Sequence, residues 1–283
     1  MNERIIVTGK NGVLSSEIAK RLSTGNINAE QLSVKNGQWE NYDFKGVDHV
    51  VHVAGIVPGK EKCNEDFFTV NAYLTHALAK KCKEEGVKHF VYISSMAVYG
   101  ISQSNSKGQG VVFKNTSPNP NSDYGKSKLM AENFLLDLQD ENFSVAIVRV
   151  PSIYGKGLTE YIEQYLHLVN KLPVIPNCFK NNKKSFISVP NLCELIYLIV
   201  TNNYRGIICP DEGTYTAVDV CSALKPSKRK SRFLGLIIEM FLRKNARIID
   251  YYGRCCYDDK ITEVFDGKYR VVNLQEMVKE IYE

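Results

Sequence analysis

Short apolar runs rich in β-branched residues alternate with amphipathic patterns along the first two-thirds of the chain. The apolar runs predict strands, and they read RIIVTG, VDHVVHVAG, HFVYISS and SVAIVRVP. The intervening segments have the apolar spacing of helices, and they include GVLSSEIAKRLS, DFFTVNAYLTHALAKKCKEEG and YGKSKLMAENFLLDLQ. Buried strands that alternate with helices are typical of a parallel sheet covered on both faces. The pattern therefore predicts a doubly wound α/β fold.

The alternation weakens after about residue 155. Pro173, Pro176 and Pro190 interrupt that stretch, and the pattern becomes irregular after the helix-like run NLCELIYLIVTN. We predict one domain from residues 1–155 with about 181–207, and a smaller interleaved lobe from about 156–180 and 208–283. Open α/β sheets bind ligands at the carboxyl ends of their strands, so candidate chemistry is sought there.

Composition narrows the class of ligand. The chain has 283 residues, 44% of them hydrophobic and 24% charged, with a net charge of +5. This mild charge suits an anionic small molecule, and the absence of a basic and aromatic stripe argues against nucleic acid. The eight cysteines show no metal-ligand spacing, which argues against zinc and is typical of reduced thiols. The opening MNERIIVTG enters a strand without an apolar leader, so we expect a cytoplasmic protein.

A glycine-rich turn, TGKNGVLSSEIA, joins the first predicted strand to the first predicted helix. Gly9 and Gly12 permit a tight turn, and the helix amino terminus beyond them offers N–H groups to a diphosphate. Ser15 stands where a third glycine is expected, and serine is nearly as small. The turn favours dinucleotide binding over an ordinary connection without a ligand.

The second predicted strand, EQLSVK, bears on the choice of dinucleotide. It ends in Ser33 and Lys35, whereas a carboxylate that holds a ribose 2′-hydroxyl is expected near this point. A lysine beside a hydroxyl suits a 2′-phosphate, so the strand favours NADP(H) over NAD(H). One further short strand is expected around QWENYDF, where Asp43 is a candidate contact for the adenine edge or an exposed turn carboxylate.

The stretch SDYGKSKLMAE places Tyr124 four positions before Lys128 at the start of a predicted helix. Residues four apart share a helix face, so the ammonium can lie beside the phenol. A nearby positive charge lowers the pKa of a tyrosine from about 10. Such a pair can transfer protons near neutral pH, although a turn tyrosine with a solvated lysine would give the same letters.

Seven motifs together resemble the extended short-chain dehydrogenase/reductase family, and specifically its nucleotide-sugar epimerases, dehydratases and 4-ketoreductases. They run from residue 4 to about 200 and read TGKNGVLS, VDHVVHVAG, VNAYLTHAL, HFVYISSMAVYG, YGKSK, VRVPSIYGKG and KKSFISVPNLCELI. The tail from Cys255 also resembles the close of such enzymes from polysaccharide pathways. The resemblance implies a Rossmann-type NAD(P)-binding domain and a substrate-binding lobe.

The resemblance also implies roles for individual residues. Tyr124 would be the acid/base, Lys128 would lower its pKa and bind the nicotinamide ribose, and Ser95 would bind the substrate oxygen. Substrate contacts would also include Met96 and Lys184, the latter in place of an arginine that reaches the diphosphate. The remaining cofactor contacts implied in this way are Gly9, Gly12, Val13, Leu14, Ala54, Gly55, Asn71, Pro151, Ser152 and Ile153. Asn71 would be the first residue of the helix that follows the strand VDHVVHVAG.

Three reactions share such a site. A dehydratase commonly has an Asp-Glu pair after the serine, but here Met96 and Ala97 follow Ser95, so dehydration is disfavoured. Lys35 favours an NADPH-dependent UDP-4-keto-sugar reductase, with a UDP-hexose 4-epimerase as the alternative. The alternative from another class is a regulator that binds dinucleotide without turnover. Such proteins typically lose the Tyr/Lys pair, whereas Ser95, Tyr124 and Lys128 are all present.

Two segments bear on partners. The predicted helices 66–84 and 125–139 match the family's dimer-forming pair, and an apolar stripe of Leu129, Met130, Phe134 and Leu138 leads us to expect a homodimer. The segment 225–247 combines a basic cluster with an apolar helix. Packing against its own lobe is favoured for it, and association with an anionic membrane is the alternative.

Overall fold

The computed structural model describes residues 3–24, 27–58, 66–100, 110–158, 160–242 and 254–282. Contacts divide the chain into two compact units that are each discontinuous in sequence. The first unit comprises Met1–Gly100, Ser117–Val150 and Leu192–Cys209, and the second comprises Ile101–Thr116, Pro151–Asn191 and Pro210–Glu283.

These boundaries differ from the predicted ones in residues 181–191, which the sequence pattern places in the larger domain. The reason is that residues 183–188 form a strand that pairs within the second unit. Residues 151–155 likewise belong to the second unit, together with the described part of 101–116.

A six-stranded sheet organises the first unit, and every one of its pairings is parallel. Its strands are β1 (Arg4–Thr8), β2 (Asn28–Leu32), β3 (His49–His52), β4 (His89–Ser95), β6 (Ser144–Val150) and β10 (Gly206–Ile208). The order β10-β6-β4-β3-β1-β2 has its switch point between β3 and β1. The predicted doubly wound sheet is confirmed, and open sheets of this kind bind ligands at the edge where their strands end.

Helices cover both faces of this sheet, namely α1 (Val13–Ser23), α2 (Leu74–Glu84), α3 (Asp123–Leu138) and α5 (Val189–Thr201), the last of which contains the boundary between units. Side chains of α2 and α3 pack with Ile6, Val50 and Phe90 from one face of the strands. The alternate strand residues point to the opposite face because side chains alternate along a strand. Of the stripe proposed for a dimer, Met130, Phe134 and Leu138 pack against this core.

The segment after β2 corrects two predictions. The strand ends at Leu32, so Ser33 and Lys35 follow it instead of closing it. Lys35–Asn41 is a 3-10 helical segment, not the short strand expected around QWENYDF. The reason is local: Asn36 and Gly37 have φ of 57° and 68°, which an extended strand does not accommodate, and the turn buries Trp39.

The second unit contains three small sheets around a separate apolar core. Its strands are β5 (Val111–Val112), β7 (Ser152–Tyr154), β8 (Ile175–Pro176), β9 (Lys183–Ser188), β11 (Gly213–Thr216), β12 (Lys230–Ser231) and β13 (Cys256–Tyr257). They pair in the orders β11-β9-β7, β12-β8 and β13-β5. Its helices are α4 (Glu160–Lys171), α6 (Ala217–Leu224), α7 (Arg232–Ile237), α8 (Asp259–Thr262) and α9 (Leu274–Tyr282).

Non-α helical segments complete the description. Phe68–Tyr73 and Ile238–Leu242 are π-helical, and Met96–Tyr99 and Phe265–Gly267 are 3-10 helical. In the described part of the chain, no helix has both the length and the apolar character needed to cross a bilayer.

Candidate active site

The glycine-rich turn lies between β1 and α1 and is held against the neighbouring strand. The amides of Gly9 and Lys10 donate to the Leu32 carbonyl at 3.0 and 3.3 Å, and the Gly12 amide donates to the Gly9 carbonyl at 2.9 Å. Gly9 has a φ of +95°, which favours glycine. A Cβ on Gly12 would come within 3.0 Å of the Gly9 carbonyl oxygen and the Ser15 hydroxyl.

Ser15 fixes the shape of this turn. Its hydroxyl is buried and donates to the Gly9 carbonyl at 2.5 Å, with the Gly12 carbonyl 3.0 Å away. The serine therefore does more than tolerate a position where a glycine is expected, because it ties the first turn of α1 to the end of β1.

The turn fits the diphosphate of a dinucleotide. Gly12 is the N-cap of α1 and carries no side chain that could cover the helix terminus. The first amides of the helix, at Val13 and Leu14, have no acceptor within the helix and point toward the terminus, where the helix dipole favours an anion. The backbone of Gly9 also lies close to Ala54, with a Cβ position 3.4 Å from the Ala54 amide nitrogen.

The residues beyond β2 lie next to the same turn, because the Leu32 carbonyl accepts both turn amides. Ser33 is half-buried and Lys35 is exposed. The carboxylate within the strand, Glu30, is engaged elsewhere: it accepts from the Tyr42 hydroxyl at 3.1 Å. Asp43 is exposed and its carboxylate accepts from the Lys45 amide at 3.0 Å, as in a local turn.

A buried polar chain fixes the end of β3. The Thr8 hydroxyl oxygen accepts from the Ala54 amide at 3.2 Å and lies 2.8 Å from Nδ1 of His52. The other ring nitrogen of His52 lies 2.9 Å from the Thr75 hydroxyl, which donates to the Asn71 carbonyl. Burial lowers the pKa of His52 to about 3, so this ring is neutral and structural at neutral pH.

Asn71 packs directly under Gly55. Its side-chain oxygen accepts from the Ile56 amide at 2.9 Å and its amide donates to the Ile56 carbonyl at 3.0 Å. A Cβ on Gly55 would lie 2.9 Å from the Asn71 side-chain oxygen and 3.5 Å from Nζ of Lys128. Gly55 is therefore the close contact that lets the segment after β3 approach the lysine.

The prediction that Asn71 opens its helix is wrong. The helical turn begins earlier, and Asn71 lies inside the π-helical segment Phe68–Tyr73 that runs into α2. A wider π turn shifts the side chains relative to an α-helix, and π-bulges are frequent at functional sites. Here the shift accompanies the two hydrogen bonds between the Asn71 side chain and Ile56.

Ser95 is the last residue of β4 and the N-cap of the 3-10 segment Met96–Tyr99. Its hydroxyl oxygen accepts from the Ala97 amide at 3.1 Å, which leaves the hydroxyl proton to be donated. Ser95 is half-buried, whereas the Met96 side chain is buried. Ser95 thus lies at the edge of the sheet where its parallel strands end.

Tyr124 lies in the first turn of α3, where Ser122 caps the helix by accepting from the Gly125 amide at 3.1 Å. The Tyr124 ring is half-buried and meets Phe67 edge-on, with centroids 5.8 Å apart. A Cβ on Gly125 would be 2.5 Å from the Ala97 carbonyl oxygen. The helix of Tyr124 therefore begins in contact with the segment that follows Ser95.

Lys128 is buried, not solvated. Its ammonium donates to the Ile93 carbonyl at 2.9 Å and lies 4.8 Å from the centroid of the Tyr92 ring. Burial lowers the pKa of Lys128 to about 8, against the opposing effect of Glu132. The structure thus places this lysine between the end of β4 and Gly55, four residues after Tyr124 on one helix.

A buried ion pair behind Lys128 was not found from the sequence. Arg149 on β6 binds both carboxylate oxygens of Glu132, with its Nη2 atom 2.6 Å from Oε2. The Ser94 hydroxyl also donates to Glu132, and Arg149 donates to the Tyr99 hydroxyl at 2.7 Å. Although burial opposes ionisation, the Glu132 carboxylate outweighs it, so the pKa of Arg149 is raised. An arginine inside the apolar run SVAIVRVP is the signal that could have indicated a buried partner.

Four of the predicted site residues belong to the second unit. Pro151 is buried, and Ser152 and Ile153 form most of β7, where Ser152 hydrogen-bonds the Tyr161 side chain. Lys184 is only 9% exposed and its backbone pairs with Tyr215 across the β9–β11 ladder.

The chain is similar to curated proteins over part of its length. UDP-glucose 4-epimerase of Vibrio cholerae is 36% identical over 132 residues, which are 45% of this chain and 38% of that protein. The N-acetyl-α-D-glucosaminyl-diphospho-ditrans,octacis-undecaprenol 4-epimerase of Escherichia coli O157:H7 is 23% identical over 223 residues, 73% of this chain and 66% of that protein. The chain spans between 35% and 40% of the length of three curated relatives, the Vibrio protein among them.

The fold is shared with solved structures. A dTDP-4-dehydrorhamnose reductase from Clostridium acetobutylicum superposes with a TM-score of 0.70 at 21% identity, covering 98% of each chain. The sequence profile of the NAD dependent epimerase/dehydratase family matches residues 5–208. That span includes the glycine-rich turn, Ser95, Tyr124 and Lys128, and it confirms the resemblance to extended short-chain dehydrogenases. The chain belongs to the NAD dependent epimerase/dehydratase family.

Proposed function

We propose that the protein is an NAD(P)-dependent oxidoreductase that acts at C4 of a nucleotide-activated sugar, and specifically that it reduces a UDP-4-keto sugar. The observation that carries the proposal is the placement of Tyr124 and Lys128 on one helix that begins against the segment after Ser95. This helix lies in the same unit as the glycine-rich turn, whose strand ends at the same edge of the sheet.

The proton chemistry in this proposal belongs to the chain's own side chains. Ser95 keeps a hydroxyl proton and would orient the C4 oxygen of the sugar by donating to it. Tyr124 would give its phenolic proton to that oxygen during reduction and take one back during oxidation. Lys128 would supply the positive charge that makes proton loss from the phenol easier.

The cofactor side is formed by backbone groups and small residues. A bound nicotinamide dinucleotide would supply or accept the hydride. Gly9, Gly12 and the first amides of α1 would hold its diphosphate, and Ala54, Gly55 and Asn71 would shape the path toward Lys128. Ser33 and Lys35 follow β2 without an intervening carboxylate, which supports NADP(H) over NAD(H). Asp43 remains a candidate for the adenine edge.

The resemblance implies the remaining contacts. We assign the nicotinamide carboxamide to Pro151, Ser152 and Ile153, and the substrate diphosphate to Lys184. A lysine supplies charge to a diphosphate but lacks the bidentate geometry of arginine. Met96, which follows Ser95 directly, is proposed to border the sugar through its backbone because its side chain is buried.

A UDP-hexose 4-epimerase is the second candidate, and the Vibrio cholerae relative favours it. An epimerase would use Ser95 and Tyr124 in both directions on one sugar and retain its cofactor. A dehydratase has less support, because Met96 and Ala97 occupy the positions where that reaction commonly uses a pair of carboxylates.

The homodimer also remains a proposal. On the π segment before α2, the Tyr73 side chain is 53% exposed and its ring lies 6.1 Å from that of Phe134 on α3. An exposed aromatic side chain on this helix pair supports a contact between two copies there. Light scattering of the purified protein measures its oligomeric state directly.

The test begins with mass spectrometry of ligands released from the purified chain. The protein is then mixed with NADPH or NADH and a panel of UDP-4-keto sugars, while the reduced-nicotinamide absorbance is followed. A reductase consumes NADPH in proportion to sugar. In parallel, UDP-glucose and UDP-N-acetylglucosamine are incubated with the protein and analysed for C4 inversion, which is expected only from an epimerase.

The outcomes separate the classes. Retained NAD with C4 inversion would replace the reductase by the epimerase. Binding of NADPH without turnover on any sugar of the panel would favour a dinucleotide-binding regulator and contradict both enzymatic assignments.

A further inference from the structure

The helix after β12 is fixed to the second unit by one of its faces. Gly235 lies so close to the loop after β8 that a Cβ there would be 2.4 Å from the Asn177 carbonyl oxygen. Leu234 and Ile238 pack into the core of the unit, and the Glu239 carboxylate accepts from the Phe179 amide at 2.5 Å. Ser231 caps the helix by accepting from the Leu234 amide. The inward face therefore packs against the rest of the second unit.

The outward face of the same helix is also apolar. It carries Phe233, Leu236, Ile237, Met240 and Phe241, which are 76%, 51%, 37%, 69% and 74% exposed. These positions repeat at intervals of three and four residues, so they form one stripe along the helix. We call this set the outer stripe. A contiguous exposed apolar patch of this kind marks an interaction site, whereas single exposed apolar residues do not.

Positive charge adjoins the outer stripe at its amino-terminal end. Lys225, Lys228, Arg229, Lys230 and Arg232 occur within eight residues before or at the start of α7, and Lys225, Arg229, Lys230 and Arg232 are exposed. Within the described ranges, none of the five forms an ion pair with a carboxylate. Residues 243–247 of the basic apolar segment lie outside the described residues.

The charges decide which partner fits the outer stripe. A second copy placed across a two-fold axis would bring the same stripe and its adjoining cations close to their own counterparts, and like charges brought together at an interface weaken it. An anionic bilayer instead offers acyl chains to the stripe and phosphate groups to the cations. Because α7 and the π segment are too short to span a bilayer, such a helix lies in the interfacial plane.

We propose that the outer stripe and its basic cluster form a membrane-docking surface that binds bilayers containing anionic phospholipid. The inference is independent of the proposed catalytic function, because it rests on residues 225–241 and uses none of the residues assigned to cofactor or substrate. The contacts of the inner face can stay in place when the outer stripe meets a bilayer, so docking requires no unfolding of the unit.

The test is co-sedimentation of the full chain with vesicles of phosphatidylcholine, with and without phosphatidylglycerol, at low and high salt. We expect binding to the anionic vesicles and a weakening by salt. The double variant Phe233→Ser, Phe241→Ser should reduce binding at least about ten-fold. Its matched control is Phe113→Ser, Val271→Ser, because those side chains are 50% and 54% exposed in the same unit.

A second pair of variants tests the charges. Neutralising Arg229 and Lys230 to glutamine should lower the affinity for anionic vesicles about five-fold for each cation removed. Lys268→Gln is the control, since this lysine is 70% exposed and lies 3.6 Å from the Asp266 carboxylate. Circular dichroism of each variant checks that the fold is intact.

Three results would overturn the proposal. The first is that the intact chain does not sediment with anionic vesicles. The second is equal binding to neutral vesicles, which would leave the basic cluster without a role. The third is that the Phe233→Ser, Phe241→Ser variant binds anionic vesicles as the parent does. If that variant also lowers the molecular mass of the protein measured by light scattering, the outer stripe is an interface with a second copy of the chain.

Discussion

The ammonium of Lys128 donates a hydrogen bond to the Ile93 carbonyl, 2.9 Å away, two residues before Ser95 on the same strand. This bond joins the helix of the proposed acid/base to the strand that ends in the proposed substrate-binding hydroxyl. The ammonium group is buried at this position, and burial disfavours its charged form. The lysine should therefore leave a signature in the pH dependence of stability.

Because the pKa of Lys128 falls from 10.5 to about 8 on folding, the folded chain binds fewer protons than the unfolded chain between these values. The free energy of unfolding should then rise with pH from 8 to 10.5, with a slope of at most about 1.4 kcal/mol per pH unit from this group. Below pH 8 the full cost of the buried charge is present. Urea unfolding of the parent and of Lys128→Met across this range measures the difference.

The matched control for that measurement is Lys126→Met, because Lys126 lies on the same helix with its side chain 52% exposed. This variant should keep the pH slope of the parent. A Lys128→Met variant whose stability runs parallel to the parent at every pH would mean that the lysine is not buried as described.

Replacing Tyr124 by phenylalanine removes only the phenolic oxygen. We expect turnover with the substrate identified in the assays above to fall at least about a hundred-fold, because general acid–base catalysis typically contributes that much or more. Binding of NADPH, followed by its fluorescence, should change little. Tyr73→Phe, at a tyrosine that is 53% exposed, should leave turnover unchanged. Intact turnover in Tyr124→Phe would remove the assignment of the acid/base.

The buried pair of Glu132 and Arg149 should dominate the local stability of α3. Glu132→Ala leaves the arginine without its carboxylate and should lower the free energy of unfolding by about 3 to 5 kcal/mol. The double variant Glu132→Leu, Arg149→Met should recover much of this loss. Glu84→Ala serves as the control, since its pair with Lys80 is 3.9 Å apart at the surface and is worth at most about 1 kcal/mol. Equal effects of Glu84→Ala and Glu132→Ala in urea unfolding would contradict the burial.

The cofactor preference depends on Lys35. If it contacts a 2′-phosphate, Lys35→Glu should weaken NADPH binding by about ten-fold or more and leave NADH binding nearly unchanged, since a charge-assisted hydrogen bond is worth about 1.5 to 3 kcal/mol. Lys45→Glu, at another exposed lysine, should alter neither affinity. Fluorescence titration with both cofactors measures the ratio of the dissociation constants for NADPH and NADH. An unchanged ratio in Lys35→Glu would withdraw the preference for NADP(H).

The sequence predicted the sheet well because buried parallel strands are apolar throughout and leave little ambiguity in a doubly wound pattern. The same pattern predicted which site residues lie after strand ends and near helix starts, namely Gly9, Gly12, Ser95, Tyr124 and Lys128. Motif order then supplied the family, which the matched span of residues 5–208 confirms. The roles of the individual residues remain predictions.

Other features could not be read from local pattern. The π-helical turn around Asn71 is accompanied by hydrogen bonds to Ile56, fifteen residues earlier, and helical periodicity does not report such contacts. The 3-10 segment after β2 depends on left-handed backbone at Asn36, a conformation that asparagine adopts only in some contexts. The pairing of Glu132 with Arg149 joins a helix to a strand, so neither residue indicates the other by its spacing.

Gly125, between the tyrosine and the lysine of the YGKSK motif, has a consequence for protein engineering. Its missing side chain sets the closest distance between α3 and the Ala97 carbonyl, so even a methyl group there would push the helix outward. Such a displacement would carry Tyr124 away from Ser95 at the end of β4 while leaving the side chains proposed for catalysis chemically intact. A designer who transplants this helix onto another sheet must therefore copy the empty position as faithfully as the tyrosine and the lysine.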